Sequence, residues 1–145
     1  MILGVGTDVV DIESFASQLN EPGSRFTDVF TGREQRVAKA RAASHAQPGS
    51  SPDVAAHLAA RWAAKESLIK AWSAALYGGP PVIAETALIW SEIEVIQDKW
   101  GRPSLALHGA VASAVKNSVG NIRCHLSLTH DGPVASAVVV LESAG

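Results

Sequence analysis

One cysteine, one methionine, one tyrosine and three phenylalanines are all that this 145-residue chain contains of those residue types. A lone Cys124 excludes an internal disulfide and any multi-cysteine zinc site, and it fits a reducing cytoplasm. No run of about 18 apolar residues occurs, so no membrane span is expected. The N-terminus has no basic segment ahead of a hydrophobic core, as a secretory signal would have. An excess of charge is missing as well. Twelve basic and 14 acidic residues leave a formal net charge of -2, which excludes gripping nucleic acid by overall charge. What is present is 47% hydrophobic and 18% charged, the balance of a globular chain with a core of its own. The length fits one domain over 1–145, with no composition break and no internal repeat.

The first strand reads over Ile2–Val10, with Ile2, Gly4, Gly6, Asp8 and Val10 on one face. The two glycines weaken that strand but clear space above it. Asp11–Leu19 starts a helix, which Asn20–Ser24 breaks. Thr31 caps the next, with Glu34 completing a capping box. That short helix carries Arg33, Arg36, Lys39 and Arg41 and gives way to a polar loop over Ala43–Asp53. Asp53 caps the longest helix, Val54–Tyr77, which stops at Gly78-Gly79-Pro80-Pro81. Strands over Glu92–Ile96 and Ser104–Leu107 flank the turn 98–103, and a helix over Ala110–Lys116 follows. Strands Ile122–Thr129 and Val134–Leu141 then close a hairpin. The order predicts an α+β domain, an antiparallel sheet packed against the long helix.

Charge sits oddly in three places. Asp8 lies in an apolar, β-branched strand. It is either a strand-end carboxylate facing water or a metal ligand, because a carboxylate buried in a sheet needs a cation or several donors. On the long helix, at ~100° per residue from Leu58, the residues Trp62, Ile69, Trp72 and Leu76 define an apolar stripe. Lys65 falls inside it, where its ammonium must snorkel out or meet an anion. Glu66 and Lys70 border the stripe at i,i+4 spacing, which also describes an ordinary solvated pair. The third place is the strand near the C-terminus. Arg123, His125, Ser127 and Thr129 share one face, either a wet sheet face or a set of donors for phosphate oxygens, with Cys124 on the core side.

The common phosphate-binding loops are absent: Gly4 and Gly6 lack a third glycine, and no Gly-Lys-Ser/Thr or nucleophile elbow occurs. Two carboxylates with few other ligands suit Mg²⁺, which completes its shell with waters and substrate phosphates. The residues alone thus point to magnesium-dependent handling of a phosphorylated substrate.

Three segments occur in the order found in one family. They are Gly4-Val5-Gly6-Thr7-Asp8, Arg61-Trp62-Ala63-Ala64-Lys65-Glu66-Ser67-Leu68-Ile69-Lys70-Ala71, and His125-Leu126-Ser127-Leu128-Thr129-His130; Gly101-Arg102-Pro103 supplies a fourth, shorter match. The chain resembles the small bacterial holo-[acyl-carrier-protein] synthases, in their actinobacterial form, over nearly its whole length. The resemblance implies the 4'-phosphopantetheinyl transferase fold. It implies transfer of the 4'-phosphopantetheine arm from coenzyme A to a serine of apo acyl carrier protein, or of a carrier domain in a fatty-acid synthase. The other product would be 3',5'-ADP, and the setting fatty acid biosynthesis in the cytoplasm. Mg²⁺ would be held by Asp8 and Glu66, with Lys70 beside them as the third catalytic residue. Lys65 would reach a phosphate. Arg61, His125, Ser127 and Thr129 would hold the nucleotide phosphates, and Gly101, Arg102 and Pro103 would cover the adenine side. A homotrimer with coenzyme A in the clefts between subunits would complete the site. Many members carry an arginine where this chain has Ser14, which leaves Arg33, Arg36, Lys39 and Arg41 to meet an acidic carrier. The competing reading is a carrier- or nucleotide-binding module without catalysis.

Overall fold

The computed structural model describes every residue from 1 to 145. In chain order it runs β1 (Ile2–Asp11), α1 (Ile12–Asn20), α2 (Gly32–His45), α3 (Val54–Ala75), β2 (Ile93–Gln97), β3 (Pro103–Leu107), α4 (Gly109–Val119), β4 (Ile122–Asp131) and β5 (Val134–Ser143). Short 3-10 turns lie at Phe26–Val29, Glu85–Ala87 and Trp90–Glu92. The α+β expectation holds, but the strands divide between two antiparallel sheets, β1-β5-β4 and β2-β3. Helix α2 also runs past Arg41 to His45, because Ala38 and Ala42 keep an i,i+4 buried side through what reads in the sequence as the start of a loop.

Helix α3 is the centre of the molecule, and it has two apolar sides. Asp53 starts it by accepting from the Ala56 N–H at 3.0 Å. The large stripe divides: Leu58 and Trp62 pack with Phe30 and Trp90, while Ile69, Trp72 and Leu76 pack around Ile93, Val111 and Val115. The opposite side is all small: Ala60, Ala63, Ala64, Ser67 and Ala71, each fully or almost fully buried. The three-stranded sheet closes on this second side. A Cβ added at Gly6 would lie 2.0 Å from the Ser67 carbonyl oxygen, and one at Gly4 would lie 2.1 Å from that of Ala71. The space expected above the glycines is therefore filled by helix backbone. The Ser67 hydroxyl fastens the same contact by donating to the Ala137 carbonyl at 3.1 Å. Gly6→Ala should cost about 3 kcal/mol, because both atoms it strikes are backbone and cannot rotate away. Urea unfolding checks this, and an unchanged midpoint would mean that the strand can lift without loss.

Lys65 corrects an expectation. It lies in the interior, at 0% exposure, and its ammonium reaches no surface on which a phosphate could sit. Its anion is the equally buried Glu34, 2.9 Å away. The other two N–H groups of the ammonium go to the carbonyls of Trp90 and Ile93. Glu34 in turn accepts from the N–H groups of Thr31 and Val95. The capping box read in the sequence is thus also the counter-ion of the displaced lysine. It ties α2 to α3 and to the start of β2.

Candidate active site

The two apolar sides of α3 leave two polar edges. Glu66 and Lys70 lie on one, and His57 and Arg61 on the other, about 140° from Glu66 to Arg61 around the helix.

On the first edge Asp8 points from β1 toward α3, and the Lys70 ammonium donates to its Oδ1 at 3.0 Å. Glu66 stands beside them, half-buried. Burial raises the pKa of its carboxyl, and the charges of Asp8 and Glu85 push the same way against the opposing pull of Lys70. A carboxylate crowded by two others is relieved by a cation. Asp8 and Glu66 therefore fit Mg²⁺, which needs only one or two protein carboxylates and draws its other ligands from water and phosphate. Beside this cluster opens an apolar cavity of about 330 Å³, walled by Ile69, Trp72, Leu76, Ile83, Leu88 and Trp90, with Glu66 and Glu85 also lining it. The proximity of Glu85 has no signal in the sequence, since it arrives on a short 3-10 turn nineteen residues after Glu66.

On the second edge Arg61 is 2% exposed and gives one nitrogen to the His57 carbonyl, while its Nε and Nη2 have no partner. A buried guanidinium with two idle donors is costly unless an anion meets it. Arg61 lines a polar cavity of about 370 Å³ together with Gly101, Pro103 and Thr129, which joins four of the expected cofactor-binding residues. Gly101 has a φ of +81°, and Arg41 packs where its side chain would be. Histidines 45, 57 and 130 share the cavity. His57 and Arg61 stand at i,i+4 on one helix edge, a spacing visible in the sequence.

Three expected residues stand elsewhere. Arg102 is bound to Asp98 at 2.6 Å and lies over the Trp100 ring, outside the cavity that Gly101 and Pro103 line. His125 and Ser127 lie on the open face of the three-stranded sheet and line neither cavity; His125 Nε2 is 2.7 Å from Glu142. The physical reason is register. Alternation groups His125, Ser127 and Thr129 on one face, but only Thr129, near the end of β4, lines the cavity that contains Arg61.

The basic helix is also less free than its composition suggests. Arg33 is held by Glu94 at 2.6 Å and Arg41 lines the polar cavity, leaving Arg36 and Lys39 without an ion pair.

The chain belongs to the 4'-phosphopantetheinyl transferase superfamily, which it matches over residues 4–135. Within that class it is similar to holo-[acyl-carrier-protein] synthases. It is 49% identical over 140 residues to that of Corynebacterium glutamicum, covering 97% of this chain and 98% of the other. It is 44% identical over 142 residues to that of Mycobacterium tuberculosis, covering 98% of each. Among solved structures, a coenzyme A complex of the Chronobacterium ammoniagenes enzyme superposes with a TM-score of 0.85 at 45% identity, covering 95% of each chain.

Proposed function

We propose that this chain is a phosphopantetheinyl transferase of the holo-[acyl-carrier-protein] synthase type. It moves the 4'-phosphopantetheine arm of coenzyme A to a serine hydroxyl of apo acyl carrier protein and releases 3',5'-ADP. The observation that carries the reading is the Asp8–Glu66–Lys70 cluster, set on one edge of α3 beside an apolar cavity. Asp8 and Glu66 would hold Mg²⁺, which supplies neutralising charge at the pyrophosphate when bound. Lys70, more than half exposed and held by Asp8 at 3.0 Å, would offer its remaining N–H groups to the phosphate oxygens. Glu66 would take the serine proton through a water, because a carboxylate on a metal is itself a weak base. The apolar cavity suits the uncharged pantetheine arm, and the idle nitrogens of Arg61 suit a nucleotide phosphate. The adenine side would lie against Gly101 and Pro103, which line the same cavity as Arg61.

The two edges face apart and their cavities share no residue, so one copy does not close the whole site. We read the active form as a homotrimer in which each site takes the metal edge of one copy and the arginine edge of another. The open sheet face supports this. Val5 and Val9 of β1 and Val134 and Val138 of β5 are all exposed there, an apolar surface that a monomer leaves in water. Sedimentation should give three times the chain mass, and Val9→Lys should reduce it to one. A wild-type monomer with full activity would remove the shared site.

The setting is the cytoplasm and fatty acid biosynthesis; no helix is long and apolar enough to cross a membrane. The deciding experiment incubates the chain with coenzyme A, Mg²⁺ and apo carrier protein and weighs the carrier. A gain of one phosphopantetheine supports the transferase. Coenzyme A binding with no transfer to a free carrier or to a synthase carrier domain makes the chain a binding module.

A further inference from the structure

Three histidines from separate parts of the chain meet at the arginine edge. The rings of His45 on α2 and His57 on α3 stack at 5.8 Å, and His130 at the end of β4 stands edge-on to His57 at 4.8 Å. All three line both the cavity that contains Arg61 and a second one of about 240 Å³ beside it. Arg41 and Arg61 complete the set of basic groups in the first cavity. The single carboxylate lining either cavity is that of Asp53, already engaged with the Ala56 N–H. The turn between β2 and β3 brings only Gln97, Gly101 and Pro103, none of which titrates. Glu34 acts on Arg61 from the far side, where it is paired with Lys65.

Five basic side chains with no free counter-ion repel one another. His57 shows the consequence: burial first, then the charges of His130, Arg61, His45 and Arg41, push its pKa down to about 4. An anion seated among these groups offsets their mutual repulsion and favours a protonated imidazole beside it.

We propose that the His45–His57–His130 cluster is a proton-coupled anion anchor: a phosphate monoester bound at Arg61 draws a proton onto the histidines, and it binds more tightly as the pH falls through the imidazole range. This deepens the coenzyme A reading of the same cavity, on which it rests for the identity of the ligand. The sign is fixed by linkage. Protons bound with the ligand make affinity rise toward acid, by up to tenfold per pH unit for one whole proton. The rise ends near the second ionisation of the phosphate itself, at about pH 6, where the ligand begins to lose charge.

The test is calorimetric titration of 3',5'-ADP at neutral pH in two buffers of different ionisation heat, repeated with inorganic pyrophosphate. The wild-type chain should take up a substantial fraction of one proton per nucleotide and bind about fivefold more tightly for each unit of pH lost between pH 7.5 and 6.5. His130→Gln should cut the uptake by at least half. His45→Gln, likewise at an exposed position, should lower it as well. No net uptake by the wild type, or an uptake unchanged in both variants, overturns the anchor. Uptake with pyrophosphate but no binding of the nucleotide keeps the anchor and removes the coenzyme A reading. No binding of either anion removes both.

Discussion

Glu66→Gln should lower turnover about 1000-fold, the loss of several kcal/mol of charge stabilisation at the transferring phosphoryl group, while the protein unfolds at the wild-type temperature or slightly above it. The expectation of unharmed stability comes from the direction of the Glu66 shift. Burial and the neighbouring Asp8 and Glu85 raise its folded pKa above the unfolded one. A carboxyl shifted this way favours folding while it is protonated, below its unfolded pKa; that contribution is lost as the pH rises through the folded value. At neutral pH the ionised group is therefore a small burden, and the neutral amide removes it. Carrier modification, measured against Mg²⁺ concentration beside a melting curve, reads both halves. Lost activity with intact melting is the expected pair. Near-wild-type turnover would show that Glu66 is neither ligand nor proton acceptor, and a collapsed melting curve would return it to a packing role. Asp8→Asn should behave alike in turnover, but it also reduces the Lys70 ion pair to a hydrogen bond on a neutral amide oxygen.

The chain order of elements was legible because each boundary has a local cause. Asp53 and Thr31 cap α3 and α2 as their side chains predict, and Gly78-Gly79-Pro80-Pro81 lies just past the end of α3. Asp8, Glu66 and Lys70 were legible too, since a charged residue breaking an apolar pattern leaves a mark in the sequence. The second apolar side of α3 was not. A stripe of alanines reads as neutral filler until Gly4 and Gly6 are seen to bring a strand onto it, and that contact joins residues more than sixty positions apart. The same blindness explains His125 and Ser127. Alternation sets the face of a strand but does not say which part of that face lies over a cavity. The family segment marks Arg61 as a candidate, but the two buried nitrogens without partners that would suit an anion are visible only in three dimensions.

The two polar edges of α3 also suggest why a chain of 145 residues can serve a ligand as long as coenzyme A. One helix, buried on both broad sides, can present its narrow sides to two different clefts. In the proposed trimer each copy would contribute half of two sites, and the sheet face between copies would need no chemistry of its own. The division also separates the electrostatic work. The carboxylates on one edge attract a cation, while the guanidiniums and imidazoles on the other attract an anion. The long axis of a coenzyme A molecule would span both.

Lys65→Ala should destabilise the chain by about 3–5 kcal/mol, because it strands the Glu34 carboxylate in the interior without its cation. For a chain of this length that is a fall in melting temperature of roughly 10–15 °C. The loss has two sources. Glu34 keeps the N–H groups of Thr31 and Val95 but loses a charge partner at 2.9 Å, and the carbonyls of Trp90 and Ile93 lose their donor in a site closed to water. Glu34→Ala should cost a similar amount by leaving the ammonium unpaired, and the double variant should cost clearly less than the sum, as partners in one buried pair do. Differential scanning calorimetry on the four proteins measures that coupling. The coenzyme A affinity of whatever Lys65→Ala folds at low temperature should stay close to wild type, since the ammonium touches no cavity that would hold the nucleotide. A large loss of affinity with unchanged melting would mean that Lys65 leaves the core to meet a phosphate. Strictly additive losses would mean that the two charges, though adjacent, do not depend on each other.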